Sequence, residues 1–225
     1  MLENQNPIDR RGFLGTIVAG AAAASLARIP SAVAEGMDIP IAGSEAFDAA
    51  LKKISGRKYK QVFDAPRPND SLAVIWAWAL LHTYNKLKVT DENVGCFVIF
   101  RHEAIPFAMK DEVWAKYKLG EVFKIDDKTT KAPSVRNVVT NVKPEDLPIP
   151  EMAMEKTQAR GVLYGVCDLA MTVYSMKLAA DTNMKPEDVK KDMVAGLLPG
   201  VVVLPSGVYA VNRAQSAGLT YCFAG

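Results

Sequence analysis

The chain of 225 residues carries 27 basic and 25 acidic side chains, a net charge of +2, with 49% hydrophobic and 23% charged residues. That balance argues against a nucleic-acid partner and leaves no polybasic patch for a membrane surface. The three cysteines, Cys96, Cys167 and Cys222, are widely spaced and make no disulfide framework; no two have zinc-site spacing, and two histidines exclude a three-histidine site within one chain.

Residues 1–34 read as a twin-arginine export signal. Asp9-Arg10-Arg11-Gly12-Phe13-Leu14-Gly15 sets the paired Arg10 and Arg11 just before Phe-Leu; residues 16–27 are small and apolar, Arg28 follows, and Ala32-Val33-Ala34 offers an A-x-A cleavage site. The apolar stretch is too short, and too rich in Ala and Gly, for a stable membrane span, and an uncleaved anchor is the weaker reading. The expected location is the periplasm, reached through the twin-arginine translocase by a domain that has already folded. No cysteine directly follows the cleavage site, which argues against a lipoprotein. Without the leader, 24 basic and 23 acidic residues leave a net charge of +1, and residues 35–225 suit one domain with a full core.

Residues 35–57 form an N-terminal segment with a short amphipathic helix over 44–54: Phe47, Leu51 and Ile54 fall at helical spacing behind Ser44 as N-cap. It docks on the main body or on a neighbouring subunit. The main domain, 58–225, opens with a strand over 59–65, closed by Pro66-Arg67-Pro68-Asn69-Asp70, a turn ending in cap residues. Residues 71–88 are a helix apolar almost all round in its first half, including Trp76 and Trp78; such a helix is buried on several sides or sits at an oligomer interface. Residues 94–100, Val-Gly-Cys-Phe-Val-Ile-Phe, have the continuous apolar character of a parallel strand covered on both faces. A helix is expected to start near Pro106.

Residues 120–156 lack any period and carry scattered charges and four prolines. They read as an insertion loop or flap with at most short elements, and loops of that length usually bind ligands or subunits. Regularity returns with a strand over 161–167, a helix from Asp168 to about Ala180, and a short helix opened by Pro186-Glu187-Asp188. A strand over 201–205 leads to a helix capped by Ser206 and ended by Gly218, and 219–223 is the last strand. Strands alternating with helices predict an α/β fold: three layers, α/β/α, around a mainly parallel sheet of about five strands.

In such a sheet the binding crevice lies outside the carboxyl ends of the strands. Those ends are 64–66, Arg101-His102-Glu103, Cys167-Asp168 and Pro205-Ser206. Cys167 stands at a strand-to-helix junction, where unpaired N–H groups and the helix dipole favour thiolate; the Asp168 charge opposes this, and a nearby Arg101 or His102 would assist it. The plain alternative is a packed thiol, as expected for Cys96 and Cys222. His102 sits between a cation and an anion at a strand end, whereas His82 lies in an apolar helix; a structural histidine remains the alternative for either. There is no G-x-G-x-x-G, Walker-type loop, G-x-S-x-G elbow or H-E-x-x-H.

The segments Gly161-Val-Leu-Tyr-Gly-Val-Cys167-Asp168, Met184-Lys-Pro-Glu-Asp-Val189 and Leu198-Pro-Gly-Val-Val-Val-Leu-Pro-Ser206-Gly-Val208, with Asn212-Arg-Ala-Gln-Ser-Ala-Gly-Leu-Thr-Tyr221, resemble the DsrE/DsrF-like proteins of sulfur metabolism. The resemblance runs from about Lys58 onward, with 120–156 unmatched. It implies a small α/β/α domain assembled into trimers or hexamers. In some members a cysteine at the end of this strand accepts sulfane sulfur as a persulfide and passes it to a partner thiol, and Cys167 matches that position. Here Asp168-Leu169-Ala170 follows it, rather than a second cysteine or a glycine-rich turn.

Two functions follow as expectations. In the first, the protein is a periplasmic sulfur carrier of sulfurtransferase-like activity: Cys167 carries the sulfur, while Arg101, His102, Asp168 and Ser206 line the site. In the second, it is a non-catalytic oligomeric module holding a small ligand, haem or a metal through His102, with Cys167 merely packed. A subunit that only recruits partners is a third reading. The residues themselves identify no cofactor.

Overall fold

The computed structural model describes residues 43–225; the expected leader, with Arg10 and Arg11, lies outside the described residues, as do 35–42 of the N-terminal segment. Five strands form one sheet, β1 (Tyr59–Ala65), β2 (Val94–Phe100), β3 (Leu163–Cys167), β4 (Val202–Leu204) and β5 (Thr220–Phe223), in the order β4-β3-β2-β1-β5. Every pairing is parallel. The protein has a three-layer α/β/α fold.

Two helices cover one face: α1 (Ser44–Ser55) and the helix between β4 and β5 (Gly207–Ser216, α8 in chain order). Phe47, Leu51 and Ile54 of α1 meet Val62, Phe97, Ile99 and Leu204 of the sheet and Ala210 and Ala214 of α8 in one buried cluster. α1 therefore docks on this domain. Its N-cap is Gly43 rather than Ser44; at φ 87° this residue has a left-handed backbone, and a Cβ there would sit 2.2 Å from the Val203 carbonyl oxygen.

The opposite face is covered by α2 (Leu72–Lys86), α3 (Asp111–Tyr117), α4 (Leu119–Phe123), α5 (Met154–Ala159), α6 (Asp168–Thr182) and α7 (Pro186–Ala195). Its larger core joins Phe63, Val98 and Phe100 of the sheet to Val74, Ala77 and Leu81 of α2, Trp114 of α3 and Met171 of α6. All seven residues of β2 are buried, as its apolar run requires for a central strand.

Two local expectations change. Asn69, Asp70 and Ser71 do not cap α2 with their side chains; they form a left-handed turn with φ of 37°, 49° and 65°. The helix expected near Pro106 is a 3-10 stretch, His102–Ala108, and the α-helix begins at Asp111. The reason is tertiary. Ala108 O and Lys110 N–H bond Leu198 and Gly196 of the α7–β4 connection, which holds Met109 and Lys110 extended.

Residues 120–156 form an ordered packed segment held largely by side chains. Asn137 and Asp146 within it have no exposed surface. Arg136 bridges Asp127 and Asp146, and Lys143 also bonds Asp127. The backbone N–H of Thr130, the Lys143 ammonium and the N–H of Thr129 hold the Asp127 carboxyl well below the usual carboxylate range. A depressed folded-state pKa stabilises the fold above the unfolded value, about pH 4, and that contribution is lost as pH falls through the folded value. Hydrogen exchange at Thr129 and Thr130 is therefore expected to accelerate selectively below about pH 3. Exchange there no faster than in β2 would show that Asp127 does not hold this turn.

Candidate functional site

The register of the sheet sets the strand ends side by side. Phe100 pairs with Val166 and Cys167 with Leu204, so Arg101, Cys167 and Pro205-Ser206 form a row at the carboxyl edge. Ala65 pairs with Phe100 and Asp64 with Phe223, which continues the row to β1 and β5. The chain runs from β1 out to β4 and returns to β5 on the other side of β1, so the strand order reverses between β1 and β5, the usual position of a ligand crevice.

Cys167 is 6% exposed and is the N-cap of α6, its Sγ accepting the Ala170 N–H at 3.2 Å. The thiol thus sits at the positive end of a fifteen-residue helix dipole. The other two cysteines are placed differently. Burial pushes the thiol of Cys96 up, and likewise that of Cys222, which keeps both protonated. All three are free.

Arg101 turns beneath the start of α8. A Cβ on Gly207 would lie 2.4 Å from the Arg101 Cβ, so this approach requires glycine at the first position of the helix. The Arg101 guanidinium forms a fork with Asp64: Nε to Oδ1 at 2.6 Å and Nη2 to Oδ2 at 3.0 Å. The Tyr221 hydroxyl donates to the same Oδ2 at 3.0 Å. Asp64 raises the Arg101 pKa, chiefly through this hydrogen bonding, with smaller electrostatic contributions from Tyr221 and Cys167. The register sets Arg101 next to Cys167 along the edge, and the arginine's charge is answered by Asp64.

Asp168, beside the thiol in sequence, is buried and bonds Lys190 of α7 at 2.9 Å. Ser206 caps α8 through Oγ, which accepts the Tyr209 N–H at 3.2 Å. Replacing Ser206 by alanine is expected to cost about 1 kcal/mol in urea denaturation; no loss would mean that the cap contributes nothing here. His102 leaves the row. It takes a left-handed backbone (φ 50°) and its Nδ1 lies 3.3 Å from the Tyr174 hydroxyl, with its side chain 45% exposed. Burial, and the Glu103 charge after it, push the Tyr174 hydroxyl up, so it stays protonated. His82 stacks on Trp78 with ring centroids 4.5 Å apart. Among the described residues no group of three or more His, Cys, Asp and Glu side chains is placed to hold a metal ion.

The structure thus brings Cys167, Arg101 and Ser206 together, sets Asp168 in an ion pair beside them, and turns His102 toward α6. Sequence reasoning missed Asp64, Tyr221 and Lys190 as partners. Asp64 had a signal: a carboxylate within Val62-Phe63-Asp64-Ala65, in a strand whose neighbours are buried, requires a partner. A groove lined by Lys58, Lys60, Leu80, Tyr84, Gly218 and Thr220 lies at the opposite, amino edge of the sheet, away from the thiol.

Fold and site together define a three-layer α/β domain with a thiol at the carboxyl edge of a parallel sheet. No family model matches the chain, and no curated protein matches it. Among the described residues no helix is long and apolar enough to cross a membrane.

Proposed function

We propose that the protein is a periplasmic carrier of sulfane sulfur that works through Cys167. The observation that carries this reading is the thiol's position: it caps α6 at a parallel-sheet carboxyl edge, beside Arg101 in register. The thiolate is the form that attacks sulfur, and the Ala170 N–H already points at the Cys167 sulfur. The resemblance of 161–168 and 198–208 to the DsrE/DsrF-like proteins supports the same chemistry, and the leader with Arg10 and Arg11 supports export through the twin-arginine translocase.

In the loading step the Cys167 thiolate attacks the terminal sulfane sulfur of a polysulfide. A new S–S bond forms to Cys167, the old S–S bond breaks, and the electron pair leaves on the shortened polysulfide, so no external oxidant or reductant is needed. In the unloading step a partner protein's thiolate attacks the outer sulfur of the persulfide and Cys167 leaves as thiolate. Arg101 supplies a directed N–H donor to the sulfur anion, and the N–H groups opening α8 lie on the same edge. The partner is a thiol protein, and the reading includes self-assembly into a trimer or hexamer, measurable by native mass.

The test is intact-mass analysis of mature protein from the periplasm before and after polysulfide, with peptide mapping. A one-sulfur gain confined to the Cys167 peptide is the expected result. An unloaded Cys167 in a coloured or metal-bearing preparation would instead favour a ligand-binding module centred on His102, whose contact with Tyr174 is the geometry that reading would use.

A further inference from the structure

Asp64 is 3% exposed, yet three donors converge on its carboxylate: Nε and Nη2 of Arg101, just past β2, and the Tyr221 hydroxyl from within β5. A buried carboxylate with three donors is fixed in place, and a fork of two parallel N–H···O bonds fixes the plane of the guanidinium. Two of the three guanidinium nitrogens are then committed to Asp64, and Nη1 is left for another acceptor.

The charges around the thiol balance in the same way. Arg101 answers Asp64, and Lys190 answers Asp168. Farther out, Arg67 and Glu103 face each other at 4.0 Å, and His102 lies 3.8 Å from Glu103. Two compensated ion pairs thus stand at the strand edge that carries the thiol.

We infer that Asp64 and Tyr221 are positioning residues of the Cys167 site: they lock the Arg101 guanidinium beside the thiol and cancel its net charge, so that an incoming sulfur anion meets an aimed N–H donor and not an unpaired positive field. The inference rests on the reading of Cys167 as the nucleophile. It assigns work to two residues that touch neither the thiol nor the sulfur, and it places one of them, Tyr221, on the edge strand across the point where the strand order reverses.

The test compares a neutral and an anionic alkylating reagent of similar size, iodoacetamide and iodoacetate, on mature full-domain protein. Rates are read from the Cys167 peptide. Asp64→Asn keeps the side chain's shape but frees the Arg101 charge, and is expected to raise the iodoacetate-to-iodoacetamide rate ratio about three- to tenfold, as one uncompensated charge within reach of the thiol would. Arg101→Gln uncovers Asp64 and is expected to lower the ratio by a similar factor. Tyr221→Phe removes one donor and leaves the ion pair, so the ratio is expected to move by less than in Asp64→Asn. A variant that merely loosens the fold raises both rates and leaves their ratio alone.

If the ratio stays within about twofold of wild type in both charge variants while Cys167 still takes sulfur from polysulfide, the positioning role is wrong and the carrier reading stands. If wild-type Cys167 accepts neither reagent nor sulfur, both fall. Should Asp64→Asn fail to fold, Arg101→Gln decides: an unchanged ratio there overturns the inference, and a lowered one supports it.

Discussion

Asn137→Ala is expected to lower the unfolding free energy by roughly 3–5 kcal/mol, the largest stability effect of the substitutions considered. Asn137 has no exposed surface. Its Nδ2 donates to the carbonyls of Phe107 and Met109 at 2.9 and 2.8 Å, and its Oδ1 accepts the Val139 N–H at 3.0 Å. One side chain thus satisfies three backbone groups, and its own N–H is held by Asp111 at 2.8 Å. Alanine leaves two carbonyls and an N–H without partners in a buried site, at about 1–3 kcal/mol each before relaxation. For a domain of ordinary stability, about 5–15 kcal/mol, that is a third or more of the total. Asn137→Asp is expected to do no better, because a carboxylate cannot donate to two carbonyls. Urea denaturation of the two variants measures this; a loss below about 1 kcal/mol would mean that residues 120–156 are not pinned to the 102–109 segment here.

Cys167→Ser is expected to reduce sulfur loading by at least about 100-fold while leaving stability within about 0.5 kcal/mol of wild type. The two halves of this expectation come from the same atom. Sγ caps α6 by accepting the Ala170 N–H, and serine is the better cap of the two, so the helix keeps its terminal bond. A serine hydroxyl is not ionised near neutral pH and does not attack sulfane sulfur. Cys167→Ala, by contrast, is expected to lose both loading and the cap. Mass analysis after polysulfide and urea denaturation on the same samples separate the roles. Loading that persists in Cys167→Ser would move the chemistry to another thiol, with the partly exposed Cys222 the first to map.

Most of the fold was legible because it rests on local pattern. The run Val-Gly-Cys-Phe-Val-Ile-Phe reads as a strand buried on both faces, and β2 occupies those seven residues. Ser206 before a helical pattern reads as a cap, and its Oγ has that role. What was not legible depends on long-range contacts. Nothing near Pro106 indicates that Leu198 and Gly196 will hold Met109 and Lys110 extended and delay the helix to Asp111. Residues 120–156 lack a period because Arg136, Asn137 and Asp146 order them through polar bonds, some to backbone groups nearly thirty positions away.

The site divides along the same line. Cys167, Arg101 and Ser206 are all strand-end residues, and strand ends can be found in one sequence. Asp64 and Tyr221 needed the strand order. A carboxylate in β1 and a hydroxyl in β5 meet only because the last strand in chain order returns to pair with the first.

That return also bears on how the chain is made. Tyr221 is 157 residues downstream of Asp64, so while the ribosome is still supplying the rest of the sheet, β1 has one flank open. Open strand flanks are where nascent chains stick to one another. During that interval the Asp64–Arg101 pair stands beside the open flank without its Tyr221 donor, and charged groups there discourage a stray strand from pairing.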